Sequence, residues 1–397
     1  MWFRLLNVIC IVFLLLSPAR ADIKDQIAAL APSGLVLVLD EKGEALVAQN
    51  ADQPFVPASV AKIATAWLAM EVLGRDHRFQ TQFYLDKKRV LYVRGGGDPF
   101  LISEELALLA PKLLEATNTD PFSGIVLDTS YYPDDLRIPG IEDTDEAYDA
   151  LNSALAVNFN TIYAVRRGKT VHSAEKQTPI TPLAISQFRA RGPNGKGRIS
   201  LAQQDRHVSA LYAGELLAAF IRKAGGEVEG DISIGALPSR QKPIYVHRQS
   251  RALPEILAAM LLGSNNYITN QVFLEIGAYR LGGPVSLKKS LKVTQDILAK
   301  HKLADAIYLV EGSGISRENQ FTAAGLAKML HLFAPHANLL RKTKAGSRYK
   351  TGTLSDVSTL AGYAKTSEHG LVRFVISLGG GKGKLRFRLL RAIERGL

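Results

Sequence analysis

The chain has 397 residues, of which 47% are hydrophobic and 22% are charged, and its formal net charge is +12. This composition is sufficient for about two globular domains and excludes a disordered or collagen-like chain. No aromatic residues interleave with a basic patch, and the eight histidines are scattered, so we expect neither nucleic acid nor a metal or other cofactor as a ligand. The positive charge favours an anionic partner, although a solvated surface rich in lysine explains it equally well.

The first 21 residues have the pattern of a secretory signal peptide. Arg4 precedes an apolar run at 5–16, and residues 17–21 (Ser-Pro-Ala-Arg-Ala) supply a cleavage site of small residues. The run is shorter than the roughly 20 residues that span a bilayer. We therefore predict a periplasmic mature protein whose membrane contact is at most peripheral, with an uncleaved anchor as the alternative. The only cysteine, Cys10, lies in this segment, so the mature chain would contain no thiol.

A hairpin and a buried helix are predicted next. Two apolar stretches, at 34–40 and 44–48, flank a turn and predict paired strands. The run at 60–70 predicts a mostly buried helix that ends at Gly74. Ser59 stands at the start of this helix, and Lys62 follows three residues later on the same face.

The residue pattern changes in the middle of the chain, and this change predicts a second domain. Alternating residues at 79–85 and 90–93 predict another hairpin. Gly95, Gly96 and Gly97 follow it, but no phosphate-loop pattern accompanies them, so a turn is expected. A helical pattern at 210–224 and a strand at 231–234 come later, and we expect the chain to return to the first domain near Val246.

The C-terminal part predicts three consecutive antiparallel strands, at 349–354, 359–365 and 372–378, and then a closing helix. This helix carries Arg386, Arg388, Arg391 and Arg395 around apolar positions. We expect it to pack on the sheet with its arginines outward, and contact with a membrane surface is the alternative.

Three motifs in a fixed order carry the chemistry. They are Ser59-Val60-Ala61-Lys62, Ser264-Asn265-Asn266 and Lys350-Thr351-Gly352, which spell SxxK, SxN and KTG. This set is typical of serine acyl-transferases that use lysine as the base. An exposed lysine, with a pKa of about 10.4, is protonated at neutral pH, but burial and a second cation shift it toward the neutral amine. We predict Lys62 as the base for Ser59 and Lys350 as the second cation.

The remaining motif residues suggest further roles. Ser264 can relay a proton to the leaving group, and Asn266 can hold the substrate carbonyl or orient Lys62. Gly352 would let the substrate backbone lie against its strand, while Thr351 and Lys350 can bind a terminal carboxylate. The backbone N–H groups of Ser59 and Thr353 would form the oxyanion hole.

Flanking stretches extend the pattern, namely Gly97-Asp98-Pro99, residues 311–317 (Glu-Gly-Ser-Gly-Ile-Ser-Arg) and residues 360–363 (Leu-Ala-Gly-Tyr). With them the chain resembles the type-4, low-molecular-mass class C penicillin-binding proteins, the D-alanyl-D-alanine carboxypeptidase/endopeptidase family. The resemblance implies an α+β fold. It consists of a serine β-lactamase-like catalytic domain, with a five-stranded antiparallel sheet flanked by helices, and a mostly β domain inserted between SxxK and SxN.

This resemblance divides the chain into a signal peptide (1–21), a catalytic domain (22–74 and 246–397) and an inserted domain (75–245). It also implies that Asp143 and Tyr148 hold the free amino-acid end of the substrate side chain and that Arg317 pairs with its carboxylate. Asp145 or Glu146 could take the place of Asp143. Two positions depart from the family: Asn265 stands where Asp is common, and Glu311 replaces the usual Asp.

The function implied is a D,D-peptidase of peptidoglycan stem peptides. It would cut D-Ala-D-Ala or D-Ala-diaminopimelate bonds through a Ser59 acyl-enzyme, and β-lactams would trap the same serine. A β-lactamase or esterase is the alternative within the same chemistry, and a peptidoglycan-binding protein without turnover is the alternative from another class.

Overall fold

The structure, a computed structural model, describes residues 22–118, 120–201, 206–238 and 241–397. The predicted signal peptide and Cys10 lie outside these residues. The first elements are α1 (Ile23–Leu30), β1 (Leu35–Leu39), β2 (Ala45–Gln49) and α2 (Lys62–Val72). The middle elements are β3 (Gln80–Leu85), β4 (Val90–Gly95), α3 (Ser103–Ala116), β5 (Gly124–Asp128), β6 (Thr161–Arg167), β7 (Thr170–Ser173), α4 (Pro182–Arg191), β8 (Gly195–Ser200), α5 (Arg206–Lys223), β9 (Ile232–Ile234) and β10 (Tyr245–Arg248). The last elements are α6 (Leu253–Gly263), α7 (Asn266–Leu281), α8 (Leu287–Lys300), β11 (Ile307–Tyr308), β12 (Gln320–Phe321), α9 (Ala323–Phe333), β13 (Arg341–Lys342), β14 (Arg348–Leu354), β15 (Val357–Lys365), β16 (Leu371–Gly379) and α10 (Gly383–Gly396).

The catalytic domain is built on an antiparallel sheet with the strand order β13-β14-β15-β16-β1-β2. Five of these strands form the sheet that the resemblance implied, and β13 adds a two-residue strand at one edge. Because side chains alternate along a strand, Leu35 and Leu37 of β1 pack on one face while Val36 and Val38 pack on the other. Helices cover both faces, α1 and α10 on one side and α2 with α6 to α9 on the other. The fold class is therefore the predicted α+β class.

The SxxK helix α2 lies in the centre of this domain. Its residues from Lys62 to Ala69 are all buried, and it contacts α6, α7 and α9. A helix that is buried on all sides needs apolar residues around its whole circumference. Lys62 breaks that pattern, which singles it out within the helix.

The inserted domain has a five-stranded sheet, ordered β10-β3-β4-β5-β9, and a three-stranded sheet, ordered β7-β6-β8. It also contains α3, α4 and α5, so it is more helical than the mostly β domain that the resemblance implied. The reason lies in the strand directions, since β4 pairs with β5 and β5 pairs with β9 in parallel. Parallel neighbours need a long crossover connection. Helices α3 and α5 lie in these two crossovers and pack on the sheet.

Strand β10 bears on the predicted boundary between the inserted and catalytic domains, at 245/246. That boundary falls inside β10, which pairs with β3 of the inserted domain at Val246 and Gln82. A strand belongs to the sheet whose hydrogen bonds it shares, so we propose that the inserted domain ends after Arg248.

The closing helix α10 packs on the sheet through Leu389, Leu390 and Ile393, as predicted. Three of its arginines are exposed, namely Arg388, Arg391 and Arg395. The expected outward direction is wrong for Arg386, whose guanidinium donates hydrogen bonds to Gly352 O (2.6 Å) and Thr359 O (3.1 Å). Carbonyl oxygens at this end of the sheet supply the acceptors. None of the helices within the described ranges is long and apolar enough to cross a bilayer.

Candidate active site

Ser59 lies in a strained turn that leads into α2. Residues Ala58–Ala61 form a single 3-10 turn, and Ala58 has a positive φ of 48°. Such a conformation costs a residue other than glycine about 1–3 kcal/mol and is concentrated at functional sites. Gly314 packs against this turn so closely that a Cβ on it would lie 1.9 Å from Ala58 O. The turn leaves Ser59 partly exposed while Val60 and Ala61 are buried.

Lys62 places its amine among three oxygen atoms. Nζ lies 3.0 Å from Ser59 Oγ, 2.7 Å from Asn266 Oδ1 and 2.6 Å from Ser313 O. Of the three, only the serine hydroxyl can also donate a hydrogen bond. A neutral amine would give its two N–H groups to Asn266 and Ser313 and keep its lone pair for the Ser59 proton. Complete burial of Lys62 lowers the pKa of its amine to about 7, although the Glu311 carboxylate raises it in part.

A second lysine and serine form a parallel pair. Lys350 Nζ donates to Ser264 Oγ (2.8 Å) and to Thr351 O (2.8 Å). Burial is the main cause that lowers the pKa of Lys350 to about 6, and the charge of Lys62 adds to it, followed by those of two arginines, Arg341 and Arg386. At pH 7 about half of Lys62 and most of Lys350 are therefore neutral, so either amine can accept a proton. The prediction of Lys350 as a second cation is thus wrong for most of the molecules, because burial beside other cations favours its neutral form.

The SxN motif is the junction between α6 and α7. Ser264 ends α6 in the left-handed conformation, with φ at 52°. Asn265 is the N-cap of α7, and its side chain accepts a hydrogen bond from Ile268 N (2.9 Å). Asn and Asp are both strong N-cap residues, which explains why Asn265 can stand where the family often has Asp. The junction presents Ser264 and Asn266 to the two lysines.

The KTG strand β14 approaches Ser59 because Gly352 has no side chain. A Cβ on Gly352 would lie 2.2 Å from Thr359 Oγ1, 2.7 Å from Pro57 O and 2.9 Å from Ser59 N. Thr351 is half-buried, while Thr353 is exposed beside it. The strand thus lies against the turn that contains Ser59, with the Ser59 backbone next to Gly352.

Glu311 supports the site, and sequence reasoning noted it only as a departure from the family. Its buried carboxylate accepts hydrogen bonds from the backbone N–H groups of Ser313 (2.7 Å) and Gly314 (2.7 Å). The side chains of Asn270 (3.1 Å) and Asn319 (2.7 Å) also donate to it. These bonds fold the loop that supplies the Ser313 carbonyl to Lys62. The only signal in the sequence was an acidic residue directly before a Gly-Ser-Gly turn.

The segment with Asp143 and Tyr148 lies at the rim of this cleft. Asn266 Nδ2 donates to Tyr148 O (3.2 Å), and both the Tyr148 ring and Asp143 are exposed. The buried Asp149 shapes the segment, since its carboxylate accepts from Glu142 N (3.2 Å). Of the two alternatives to Asp143, Asp145 forms an ion pair with Arg191 and Glu146 is exposed.

The exposed Arg317 side chain lies against the turn between β14 and β15, which contains Ser355 and Asp356. Its guanidinium contacts Ser355 Oγ and Asp356 Oδ1, each at 2.7 Å. The arginine lowers the pKa of the Asp356 carboxyl through this bond. Any substrate carboxylate at Arg317 would compete with Asp356.

Each of the five predicted catalytic residues is thus within hydrogen-bond distance of another member of the set. The arrangement contains a partly exposed hydroxyl beside a buried amine, and a second hydroxyl beside a second amine. These groups can perform nucleophilic acyl transfer. In the described ranges no group of three or more His, Cys, Asp and Glu side chains could hold a metal ion.

Comparison with known protein families and proteins finds D-alanyl-D-alanine carboxypeptidases. The sequence profile of the D-Ala-D-Ala carboxypeptidase 3 (S13) family matches residues 21–188 and 193–345. A D-alanyl-D-alanine carboxypeptidase of Actinomadura sp. is 25% identical over 90% of this chain and 80% of its own length. The carboxypeptidase DacB of Mycolicibacterium smegmatis is 26% identical over 96% of this chain and 85% of its own length.

Solved structures share the fold. Penicillin-binding protein 4 of Haemophilus influenzae matches with a TM-score of 0.72 at 20% identity, covering 90% of this chain and 93% of that one. A predatory endopeptidase from Bdellovibrio bacteriovorus, in complex with an immunity protein, matches with a TM-score of 0.52 at 19% identity over 90% of each chain.

Proposed function

This chain belongs to the D-Ala-D-Ala carboxypeptidase 3 (S13) family, and from that premise we propose that it is a periplasmic serine D,D-carboxypeptidase/endopeptidase. Its substrates would be peptidoglycan stem peptides, cut at D-Ala-D-Ala or D-Ala-diaminopimelate bonds. The single observation that carries this proposal is the 3.0 Å contact between Ser59 Oγ and the buried Lys62 Nζ.

In the proposed acylation, Lys62 takes the Ser59 proton while Oγ attacks the carbonyl carbon of the penultimate D-alanine. The Asn266 and Ser313 oxygens hold the amine in place throughout, and they stabilise the ammonium that forms. The carbonyl oxygen becomes an oxyanion, which the N–H groups of Ser59 and Thr353 would bind. The close approach of β14 at Gly352 supports this assignment.

Collapse of the tetrahedral intermediate breaks the scissile C–N bond and needs a proton on the leaving nitrogen. Ser264 would give its proton to that nitrogen and recover one from the ammonium form of Lys350, to which it is hydrogen-bonded at 2.8 Å. The substrate carboxylate beside Lys350 would favour this ammonium form. The terminal carboxylate of the leaving D-amino acid would lie against Thr351 and Lys350. Lys62 would then lose the Ser59 proton to solvent and act again as the base. It would take a proton from the water that attacks the ester and return it to Ser59 Oγ as the ester bond breaks.

Substrate side-chain recognition is proposed for the rim of the cleft. Asp143 and Tyr148 would hold the free amino-acid end, and Arg317 would exchange Asp356 for the substrate carboxylate. A guanidinium suits this exchange because it can bind a substrate carboxylate through two hydrogen bonds, whereas Asp356 accepts one from Arg317. Loss of Arg4 and Arg20 with the signal peptide would leave a net charge of +10 (49 − 2 − 37), which would attract the anionic wall polymer.

The test is hydrolysis of purified muropeptides, both cross-linked and uncross-linked, followed by mass spectrometry of the products. We expect release of D-alanine, cleavage of cross-links or both, and loss of every product in Ser59→Ala. Penicillin should add one penicilloyl mass to the peptide that contains Ser59. Rapid clearance of this adduct would instead favour a β-lactamase, and binding of peptidoglycan without product or adduct would favour a non-catalytic protein.

A further inference from the structure

A second cavity lies at the junction of the inserted domain and α7, separate from the catalytic cleft. Its volume is roughly 540 Å³. Two neighbouring strands, β3 and β4, form its floor with β10, and Tyr131, Glu275 and Tyr279 form the opposite wall. None of the residues of the three motifs lines it.

The floor presents two arginines on the sheet face that α3 and α5 leave uncovered. Arg94 of β4 is paired in register with Gln82, and Arg248 of β10 is paired with Gln80. Because Gln80 and Gln82 are two residues apart on β3, all four side chains share one face. All four line the cavity. Within the described residues, neither the Arg94 nor the Arg248 side chain forms a hydrogen bond or ion pair, although Arg94 is paired in register with the acidic Asp128 of β5.

The other charged groups do not cancel these two cations. Arg78, also in the lining, is engaged with the backbone and donates to Gln249 O (3.0 Å). Glu275 accepts a hydrogen bond from Tyr131 Oη (2.9 Å), and burial raises its pKa to about 7, so it is partly neutral at neutral pH. Asp76 is the remaining acid in the lining. Three arginines thus face Asp76, the partly neutral Glu275 and Asp128 next to Arg94, which leaves an excess of positive charge that suits an anion.

The cavity also offers aromatic and hydrogen-bonding surfaces. His77 packs edge-on against Tyr279, with ring centroids 5.7 Å apart, and its Nε2 is buried without a hydrogen-bond partner among the described residues. Tyr279 is 55% exposed, so the cavity is open to solvent on that side. A ligand that enters there meets the Tyr279 ring and two guanidinium groups.

The distance between this cavity and the catalytic residues indicates the kind of ligand. Glu275 follows Asn266 by nine residues on α7, which is about 14 Å along the helix axis. An extended chain of about four residues spans that distance. We propose that this cavity is an accessory subsite that binds a carboxylate of the peptidoglycan polymer away from the bond that is cut. The inference rests on the proposed function, which supplies the polymer as the substrate.

The test compares an Arg94→Gln/Arg248→Gln variant with the matched control Arg388→Gln/Arg391→Gln, which removes the same charge from the exposed side of α10. Each is assayed on insoluble peptidoglycan and on a short N-acylated peptide that ends in D-Ala-D-Ala. We expect the cavity variant to lose about tenfold in rate on the polymer, the equivalent of one charge-assisted hydrogen bond. Its rate on the short peptide and its penicillin acylation should stay within about twofold of wild type.

The proposal is overturned by an unchanged rate on the polymer, by an equal loss on both substrates, or by a loss on the polymer that the control variant shares. Direct binding separates this failure from failure of the proposed function. Co-sedimentation with peptidoglycan is measured in the Ser59→Ala protein with and without the two cavity substitutions, because it needs no turnover. Binding that is unchanged by the substitutions refutes the subsite, even if the enzyme cleaves peptidoglycan. Because Arg248 is exposed, Arg248→Gln alone provides the same comparison if the double variant is unstable.

Discussion

Acylation of Ser59 should follow the neutral fraction of Lys62, which makes pH the most informative perturbation. With its pKa lowered to about 7, roughly three quarters of the amine is neutral at pH 7.5. An ordinary lysine, at about 10.4, would be neutral in roughly one molecule in a thousand. Burial therefore increases the amount of active base several hundredfold, equivalent to about 4 kcal/mol. Since the neutral amine exists above its pKa, the acylation rate should rise with pH, with a midpoint near 7, and then level off.

The assay is the rate of penicilloylation at Ser59 between pH 5 and 10, measured by mass spectrometry. In Lys62→Arg the guanidinium stays protonated, so we expect a loss of about 100- to 10,000-fold and no rise near pH 7. Lys292→Arg, on the exposed side of α8, serves as the matched control. Circular dichroism checks that each variant is folded. A flat wild-type profile, or a midpoint above pH 9, would refute the reasoning.

Three further substitutions test the surroundings of the site. Gly352→Ala inserts a Cβ 2.9 Å from Ser59 N and should slow penicilloylation about a hundredfold by displacing β14, with an unchanged rate contradicting the packing argument. Asn265→Ala removes the N-cap of α7 and should lower the free energy of unfolding in urea by about 1 kcal/mol, whereas Asn265→Asp should retain it. Glu311→Ala leaves several buried N–H groups without an acceptor and should lower the free energy of unfolding by about 3 kcal/mol or more; a smaller loss would show that the loop finds other acceptors.

The local sequence pattern is sufficient to predict the secondary-structure elements that carry the motifs. The predicted strands at 349–354, 359–365 and 372–378 match β14 to β16 within a few residues, since turn residues bound them and the last two are mainly apolar. The contact between Ser59 and Lys62 followed from helical periodicity alone. In both cases the decisive interactions lie within one segment of the chain.

Long-range contacts account for what the sequence did not predict. Arg386 lies among other arginines on α10, and only the sheet beneath it supplies the carbonyl oxygens that turn it inward. Glu311 gains its importance from donors on α7 and on its own loop, which meet only in the folded chain. Likewise, β10 could not be assigned to a domain without its partner β3, which is more than 150 residues earlier.

The two crossings between the domains lie side by side. Arg78, just after α2, donates to the carbonyl of Gln249, just before α6, so the chain leaves and re-enters the catalytic domain at nearly the same point. Because the two crossings are close, the whole inserted domain could be added or deleted with only a short connection between the remaining ends. An enzyme shortened in this way would keep both lysine–serine pairs but lose the Tyr148 carbonyl that receives the Asn266 amide. The inserted domain is therefore joined to the catalytic domain at one place, yet it supplies a hydrogen-bond acceptor to the catalytic site.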